Sequence, residues 1–144
     1  MRIIIQDPTP GEDESIVLNV HTITDKISRA IDIIKSPNDL TVYADEQALM
    51  LPISAVFYAE SMEQKTFIYA EKEVYRSRLK LYEIEEILST GDFLRVSKQV
   101  IINVRKIRSV APAGEGRFAA KLLNEETVMI SRQFVPALKG RFGL

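Results

Sequence analysis

Hydrophobic and polar positions alternate with a period of two along most of the chain, which predicts a protein built mainly from β-strands. After Pro37, short apolar runs bounded by turn residues predict a series of strands. These runs are residues 40–44, 48–51, 54–59, 66–70, 73–77, 93–96, 107–111, 118–122 and 128–130. The period changes to that of a helix at Leu81, Ile84 and Leu88, and a short C-terminal helix is expected at residues 134–138. The pattern therefore predicts an α+β fold that is mainly β, with one amphipathic helix.

The first 38 residues have a pattern of their own. Two β-branched runs, residues 2–6 and 15–20, predict strands, and isoleucines at helical spacing then predict a helix with Thr24 as its N-cap and Ser36-Pro37 as its stop. This β-β-α piece is too small to hold a full core alone, so we divide the chain into residues 1–38 and a main domain of residues 39–144. Three roles stay open for the front piece, namely dimerisation, regulation by sensing, and covering a sheet edge.

Composition narrows the class of protein. The chain has 144 residues and no cysteine, which excludes disulfides, thiol nucleophiles and thiolate zinc sites. Since there is neither a signal-peptide pattern nor an apolar run long enough to cross a bilayer, we expect a cytoplasmic protein. The single histidine, His21, and the helical carboxylates Glu83, Glu85 and Glu86 do not form a catalytic or metal-binding set. We therefore expect no enzyme, no metal and no cofactor.

Charge is distributed unevenly along the chain. Residues 1–60 contain four basic and ten acidic residues, a net of −6, whereas residues 93–144 contain ten basic and three acidic residues, a net of +7. Residues 93–107 contain Arg95, Lys98, Arg105 and Lys106 and no acidic residue. Such asymmetry favours a polyanionic partner for the basic half. The alternatives are that the two halves pair with each other or that their charges are merely scattered.

Residues 40–144 resemble a LytTR DNA-binding domain. The resemblance rests on the order of several short segments. These are Val56-Phe57-Tyr58-Ala59-Glu60, then Tyr75, Leu81, Ile84-Glu85 and Leu88, then Phe93-Leu94-Arg95-Val96-Ser97-Lys98-Gln99-Val100-Ile101-Ile102-Asn103, then Ile107, the Gly114–Gly116 turn, Ile130-Ser131-Arg132-Gln133-Phe134 and Leu138-Lys139-Gly140. The longest of them is similar to the family's F-x-R-V-H-R-S-Y-I-V-N pattern, although Ser97, Lys98 and Gln99 replace its histidine, arginine and serine.

The resemblance implies a bacterial transcription regulator that inserts loops, rather than a recognition helix, into the major groove of double-stranded DNA. The matching loops are residues 62–66, 97–99 and 131–133. Side chains of Lys, Arg, Gln and Thr can pair with the donors and acceptors on base edges. In these loops, the candidates for base contacts are Lys65, Thr66, Lys98, Gln99, Arg132 and Gln133. As candidates for phosphate contacts we take Arg95, Ser97, Arg105, Lys106, Arg108 and Ser131.

Two functional hypotheses follow. The first is a sequence-specific DNA-binding transcriptional regulator that works as a homodimer on repeated half-sites, because one small module buries little surface on DNA. The front piece does not resemble the receiver domain often attached to this module, so we expect a stand-alone form controlled by a membrane-bound or soluble regulatory partner protein. The alternative is a protein–protein adaptor or regulatory module that works through residues 1–38.

Overall fold

A computed structural model gives the fold, and it describes residues 1–35, 37–89 and 91–144. Its helices are α1 (Asp25–Lys35), α2 (Leu81–Leu88) and α3 (Val135–Phe142). Its strands are β1 (Asp39–Ala44), β2 (Gln47–Pro52), β3 (Tyr58–Met62), β4 (Lys65–Tyr69), β5 (Val74–Ser77), β6 (Phe93–Arg95), β7 (Val100–Asn103), β8 (Ile107–Pro112), β9 (Phe118–Leu122) and β10 (Thr127–Ile130). The class is therefore α+β and mainly β, as the sequence predicts.

The strands form two antiparallel sheets. The larger sheet has the order β2-β1-β5-β4-β3-β7-β6, and the smaller has the order β10-β9-β8. Most neighbours in the larger sheet are hairpin partners, but β7 inserts between β3 and β6. As a result, the segments that follow β3, β6 and β10 are available to meet at one end of the molecule.

The core has two parts, and β7 contributes to both. Val100 and Ile102 pack with the smaller sheet and α3, whereas Ile101, between them, packs on the other face with α2. All residues of β7 are buried, because both faces of this strand are covered. The helix α2 covers its side of the larger sheet through Leu81, Ile84 and Leu88, which share one face of the helix.

The predicted strands at residues 2–6 and 15–20 are wrong. In the structure, residues 1–24 contain no strand and residues 1–26 are exposed throughout. A strand needs a neighbour to satisfy its backbone groups, and the described part of the chain offers these two segments none. The helix α1 does form, and the Thr24 hydroxyl accepts a hydrogen bond from the Ile27 N–H at 3.3 Å, as expected of an N-cap. Ser36, part of the predicted helix stop, lies outside the described residues.

The remaining predictions from the pattern agree with the structure, with two exceptions. The predicted strand at residues 54–59 begins only at Tyr58, because Ile53–Ala55 forms a turn of 3₁₀-helix. The sequence pattern also failed to predict β7, since a strand that is buried on both faces has a continuous apolar run instead of an alternating one.

Candidate nucleic-acid interface

The first loop of the candidate interface is the tip of the β3–β4 hairpin. Met62 pairs with Lys65, which leaves Glu63 and Gln64 as a two-residue turn with φ values of 50° and 64°. Positive φ at both central positions is typical of the type I′ turn that matches strand twist. The side chains of Glu63, Gln64 and Lys65 are exposed. Gln64 lies within the loop of residues 62–66 that the resemblance indicates, although it is not among the candidates for base contacts.

The second loop, Ser97–Gln99, connects β6 to β7 and is organised by Arg95. The Arg95 Nε donates to the Ser97 carbonyl oxygen at 2.7 Å, and its Nη2 donates to the Lys98 carbonyl oxygen. The third guanidinium nitrogen lies 3.4 Å from a carboxylate oxygen of Glu85 on α2. The guanidinium is thus used to fix the loop backbone, while the side chains of Lys98 and Gln99 remain exposed.

The third loop, Ser131–Gln133, follows β10 and leads into α3 through a turn of 3₁₀-helix. The aliphatic part of Arg132 lies against Gly116 in the β8–β9 turn, so close that a Cβ on Gly116 would be 2.7 Å from Arg132 Cδ. Gly116 has a φ of +76°, a conformation that glycine adopts without strain. This contact holds the Arg132 stem, and both Arg132 and Gln133 are exposed.

Backbone hydrogen bonds bring the three loops together. The Ser61 N–H donates to the Gln99 carbonyl oxygen at 2.8 Å, and the Ser131 N–H donates to the Val96 carbonyl oxygen at 2.8 Å. The second and third loops line one open depression of about 330 Å³, formed by Lys98, Gln99, Ser131, Arg132 and Gln133. An adjoining groove of about 510 Å³ also reaches Met62 at the base of the hairpin. We call this part of the molecule the loop end.

The structure separates the base-contact candidates into two groups. Lys98, Gln99, Arg132 and Gln133 meet at the loop end, and Lys65 is exposed beside the hairpin tip. Thr66 is a correction to the sequence interpretation, because it points into the protein from β4 and is 4% exposed. An alternating strand turns each second side chain inward, so the exposure of Lys65 implies the burial of Thr66.

The phosphate candidates are also divided. Ser97 and Ser131 lie at the loop end, but Arg105, Lys106 and Arg108 lie beyond the opposite end of β7, roughly 10 Å along that strand. Arg105 is paired with Asp92, Arg108 is paired with Glu125, and the Lys106 ammonium lies 5.1 Å from the centre of the Phe57 ring. The basic segment in the sequence is thus split by a buried strand, and half of it faces away from the loops.

A tyrosine pair borders the groove beside the loop end. The rings of Tyr58 and Tyr69 stack with centroids 4.2 Å apart, and the Tyr69 hydroxyl donates to a Glu60 carboxylate oxygen at 3.1 Å. Burial raises the pKa of the Tyr58 phenol above its ordinary value of 10.0, and Glu126, Tyr69 and Glu60 raise it further. The pKa of Tyr69 is raised for similar reasons. The shifts place the pKa of both phenols above their ordinary range, because burial and the nearby carboxylates disfavour the phenolate.

The cations at the loop end differ from Arg105 and Arg108 in their pairing. Among the described residues, no acidic side chain forms an ion pair with Lys65, Lys98 or Arg132. The same part of the chain contains no cluster of three or more His, Cys, Asp or Glu side chains that could hold a metal ion. Its helices also lack the length and apolar character needed to span a bilayer. The exposed, unpaired donors suit an anionic partner with acceptor groups.

The fold is of the mainly β class, and comparison with known proteins identifies the family as one of DNA-binding domains. The family described as "LytTr DNA-binding domain" matches residues 46–143. The chain belongs to this family, which is one of DNA-binding regulators and not of enzymes.

Individual relatives agree with this assignment. The chain is 27% identical over 89 residues to the transcriptional regulatory protein YpdB of Escherichia coli O6:H1, an alignment that covers 62% of this chain and 36% of that protein. It is 21% identical over 140 residues to the sensory transduction protein LytT of Enterococcus faecalis, covering 94% of this chain and 58% of LytT. A solved LytTr DNA-binding domain of a putative methyl-accepting/DNA response regulator from Bacillus cereus superposes with a TM-score of 0.71 at 25% identity, covering 76% of this chain and all of that domain. The chain thus spans about a third of YpdB and somewhat over half of LytT.

Proposed function

We propose that this protein regulates transcription by inserting its three loops into the major groove of DNA. The observation that carries the proposal is the common depression lined by Lys98, Gln99, Arg132 and Gln133, residues from two segments that are more than thirty positions apart in sequence. The hairpin tip with Gln64 and Lys65 adjoins it. The candidate side chains at this end come from loops and from the turn of 3₁₀-helix that precedes α3, and not from the exposed face of an α-helix.

The chemistry of these side chains supports base recognition. Lys98, Lys65 and Arg132 can donate to guanine O6 and N7, and Gln99 and Gln133 can pair with adenine N6 and N7. The hydroxyls of Ser97 and Ser131 and the nearby loop N–H groups suit phosphate oxygens. In recognition of this kind, contacts to the DNA phosphates fix the position of the protein, and side-chain contacts to the bases select the sequence.

A dimer on repeated half-sites fits the size of this interface. A single module buries about 600–1,000 Å² on DNA, which is at the low end for tight specific binding. Exposed apolar side chains in the N-terminal segment, among them Ile3, Ile5, Val17 and Ile23, supply a surface for association of two copies. Replacing Ile3, Ile5 and Val17 by serine in the full chain tests this assignment. We expect the dimer fraction in sedimentation equilibrium to fall while the binding of a single half-site is unchanged.

The N-terminal segment also keeps the adaptor alternative open. The name of LytT places that relative in sensory transduction, and by analogy we propose that a soluble or membrane-bound partner protein controls this regulator. If the chain is instead only an adaptor, the exposed N-terminal residues carry its function and the loop end has no role in DNA binding.

Titration of duplex DNA separates the two functions. The experiment compares the wild-type chain with the variants Lys98→Ala and Arg132→Ala at two salt concentrations. We expect the wild-type chain to bind and its affinity to fall steeply with salt, and each variant to bind about tenfold more weakly or worse. Lys72→Ala, an exposed cation in the turn after β4, is the matched control and should bind like the wild type. Equal binding of all four proteins, or no binding at low salt, contradicts the proposal.

A further inference from the structure

One face of the larger sheet is covered over only part of its width. Next to β7 and β3, the smaller sheet and α3 close this face and form the core around Ile102. Further along the same face, Phe67 on β4 is half-buried and Arg76 on β5 is exposed, and we call this region the open face. Phe67 on β4 pairs directly with Arg76 on β5, and Arg76 pairs with Tyr43 on β1. Side chains of directly paired residues point to the same face, so these three form one cross-strand row.

Two arginines lie on aromatic rings of this open face. The Arg76 guanidinium lies 5.4 Å from the centre of the Phe67 ring, and the Arg78 guanidinium lies 4.1 Å from the centre of the Tyr43 ring. Both arginines are exposed, and neither forms an ion pair with an acid in the described parts of the chain. A guanidinium held over an aromatic ring is attracted by the ring's π face, and it keeps N–H groups that can donate to an anion. The arrangement preorganises two donors for an anion.

The open face is continuous with the loop end. Thr66 on β4 pairs with Ser77, the last residue of β5, and Lys65 and Arg78 are the residues that come next beyond this pair in the two segments. Lys65 belongs to the hairpin whose tip we assign to DNA contact. Arg76 is two positions further along β5, roughly 7 Å from Arg78. The cations of this face therefore form a row that starts at the interface and leads away from it.

We propose that Arg76 and Arg78 bind phosphates of the DNA backbone that flank the bases contacted by the three loops. The inference rests on the loop-mediated docking proposed above and adds a second, sequence-independent contact surface to it. Arginine is suited to this role, because its planar fork matches phosphate oxygens bidentately and its charge releases condensed counterions. These contacts extend the length of DNA that the domain covers, and they add no contacts to bases.

The test measures how the DNA affinity of the full chain and its variants depends on salt concentration and on the duplex sequence. Each phosphate contact contributes about 0.9 to the slope of log affinity against log salt concentration. We expect the double variant Arg76→Gln/Arg78→Gln to lose about two units of this slope and to bind every duplex sequence more weakly by the same factor. The double variant Arg76→Lys/Arg78→Lys, which keeps the charge, should retain most of the slope. Lys72→Ala, at the opposite end of the β4–β5 hairpin, should match the wild type.

The outcomes separate this inference from the function on which it rests. If Lys98→Ala changes the preferred sequence while the glutamine double variant keeps the wild-type slope, the loops bind DNA and the open face does not, which overturns the inference alone. If neither the wild type nor any variant binds DNA, the proposed function fails and the inference with it. Thermal unfolding of the glutamine double variant confirms that it folds. If the lysine double variant loses as much affinity and salt slope as the glutamine double variant, the role is one of packing and the inference is overturned.

Discussion

Gly116 and Arg132 are in direct contact, and this contact sets the position of one side chain at the loop end. A Cβ on Gly116 would lie 2.7 Å from Arg132 Cδ and 2.9 Å from Arg132 Cγ. The glycine is therefore needed twice, for its φ of +76° and for the space that the arginine stem occupies. A turn between two strands of the smaller sheet thus takes part in shaping the loop end.

Gly116→Ala is expected to weaken DNA binding by displacing Arg132. The cost in affinity should approach the roughly 1–3 kcal/mol that a bidentate base contact contributes. Gly114→Ala is the matched control, because Gly114 belongs to the same turn and has a φ of +86°, but nothing lies within 4 Å of its added Cβ. Both variants should lose stability by about 1–2 kcal/mol through backbone strain. Equal DNA affinity of the two variants contradicts the assigned role of Arg132.

Arg95→Lys tests whether Arg95 shapes the second loop or contacts phosphate itself. Lysine keeps the charge but cannot hold the carbonyl oxygens of Ser97 and Lys98 together, as the guanidinium does. We expect weaker DNA binding with a nearly unchanged salt slope. Glu85→Gln, which removes only the ion pair at 3.4 Å, should bind like the wild type. Full binding by Arg95→Lys, together with a reduced salt slope for Arg95→Ala, would instead identify Arg95 as a phosphate contact.

Asn103→Ala should destabilise the protein without a direct effect on DNA contacts. The Asn103 side chain donates to the Val56 carbonyl oxygen at 2.9 Å and accepts from the Arg105 N–H at 3.1 Å, and the residue is buried. Leaving such groups unpaired costs about 1–3 kcal/mol in the free energy of unfolding. Urea denaturation measures this loss, and the control Asn124→Ala, at an exposed turn, should lose less than about 1 kcal/mol. Comparable losses in both variants would contradict a structural role that is specific to Asn103.

The raised pKa of Tyr58 predicts how stability depends on alkaline pH. Because folding raises the pKa, the folded state holds the phenol proton more tightly than the unfolded state does. The contribution is fully present below the unfolded pKa of about 10 and is lost as pH rises above it. Tyr58→Phe should therefore lessen the fall in stability above pH ~10, as measured by urea denaturation across this range. Tyr82→Phe, at an exposed tyrosine on α2, is the control. An identical fall in Tyr58→Phe and wild type contradicts this account.

Particular elements show which parts of the fold a pattern can predict. Helix α2 and the hairpin strands follow from local periodicity, since one face of each meets the core. The strand β7 does not, because burial on both faces removes the alternation that marks a strand. The N-terminal runs at residues 2–6 and 15–20 show the opposite error, a predicted strand that the structure does not contain. Their β-branched residues favour strands, but propensity does not supply the neighbouring strand that pairing requires.

The candidate site was predictable in its residue types and less so in its arrangement. The resemblance to a known family indicated three polar loops, and Lys98, Gln99, Arg132 and Gln133 do lie together. Nearness in sequence was a poor guide for the basic segment, because β7 carries Arg105 away from Lys98. Cross-strand contacts such as Arg78 on Tyr43 depend on register, which no single-sequence pattern encodes.

The central claim is that loop side chains at one end of the β scaffold select the DNA sequence. Selection of bound duplexes from a random pool, carried out in parallel with the wild-type chain and Lys98→Ala, tests it most directly. The account predicts one enriched motif for the wild type and loss of preference at one or two adjacent positions for the variant, with the rest of the motif retained. An identical motif for both proteins, or no enriched motif for the wild type, would contradict it.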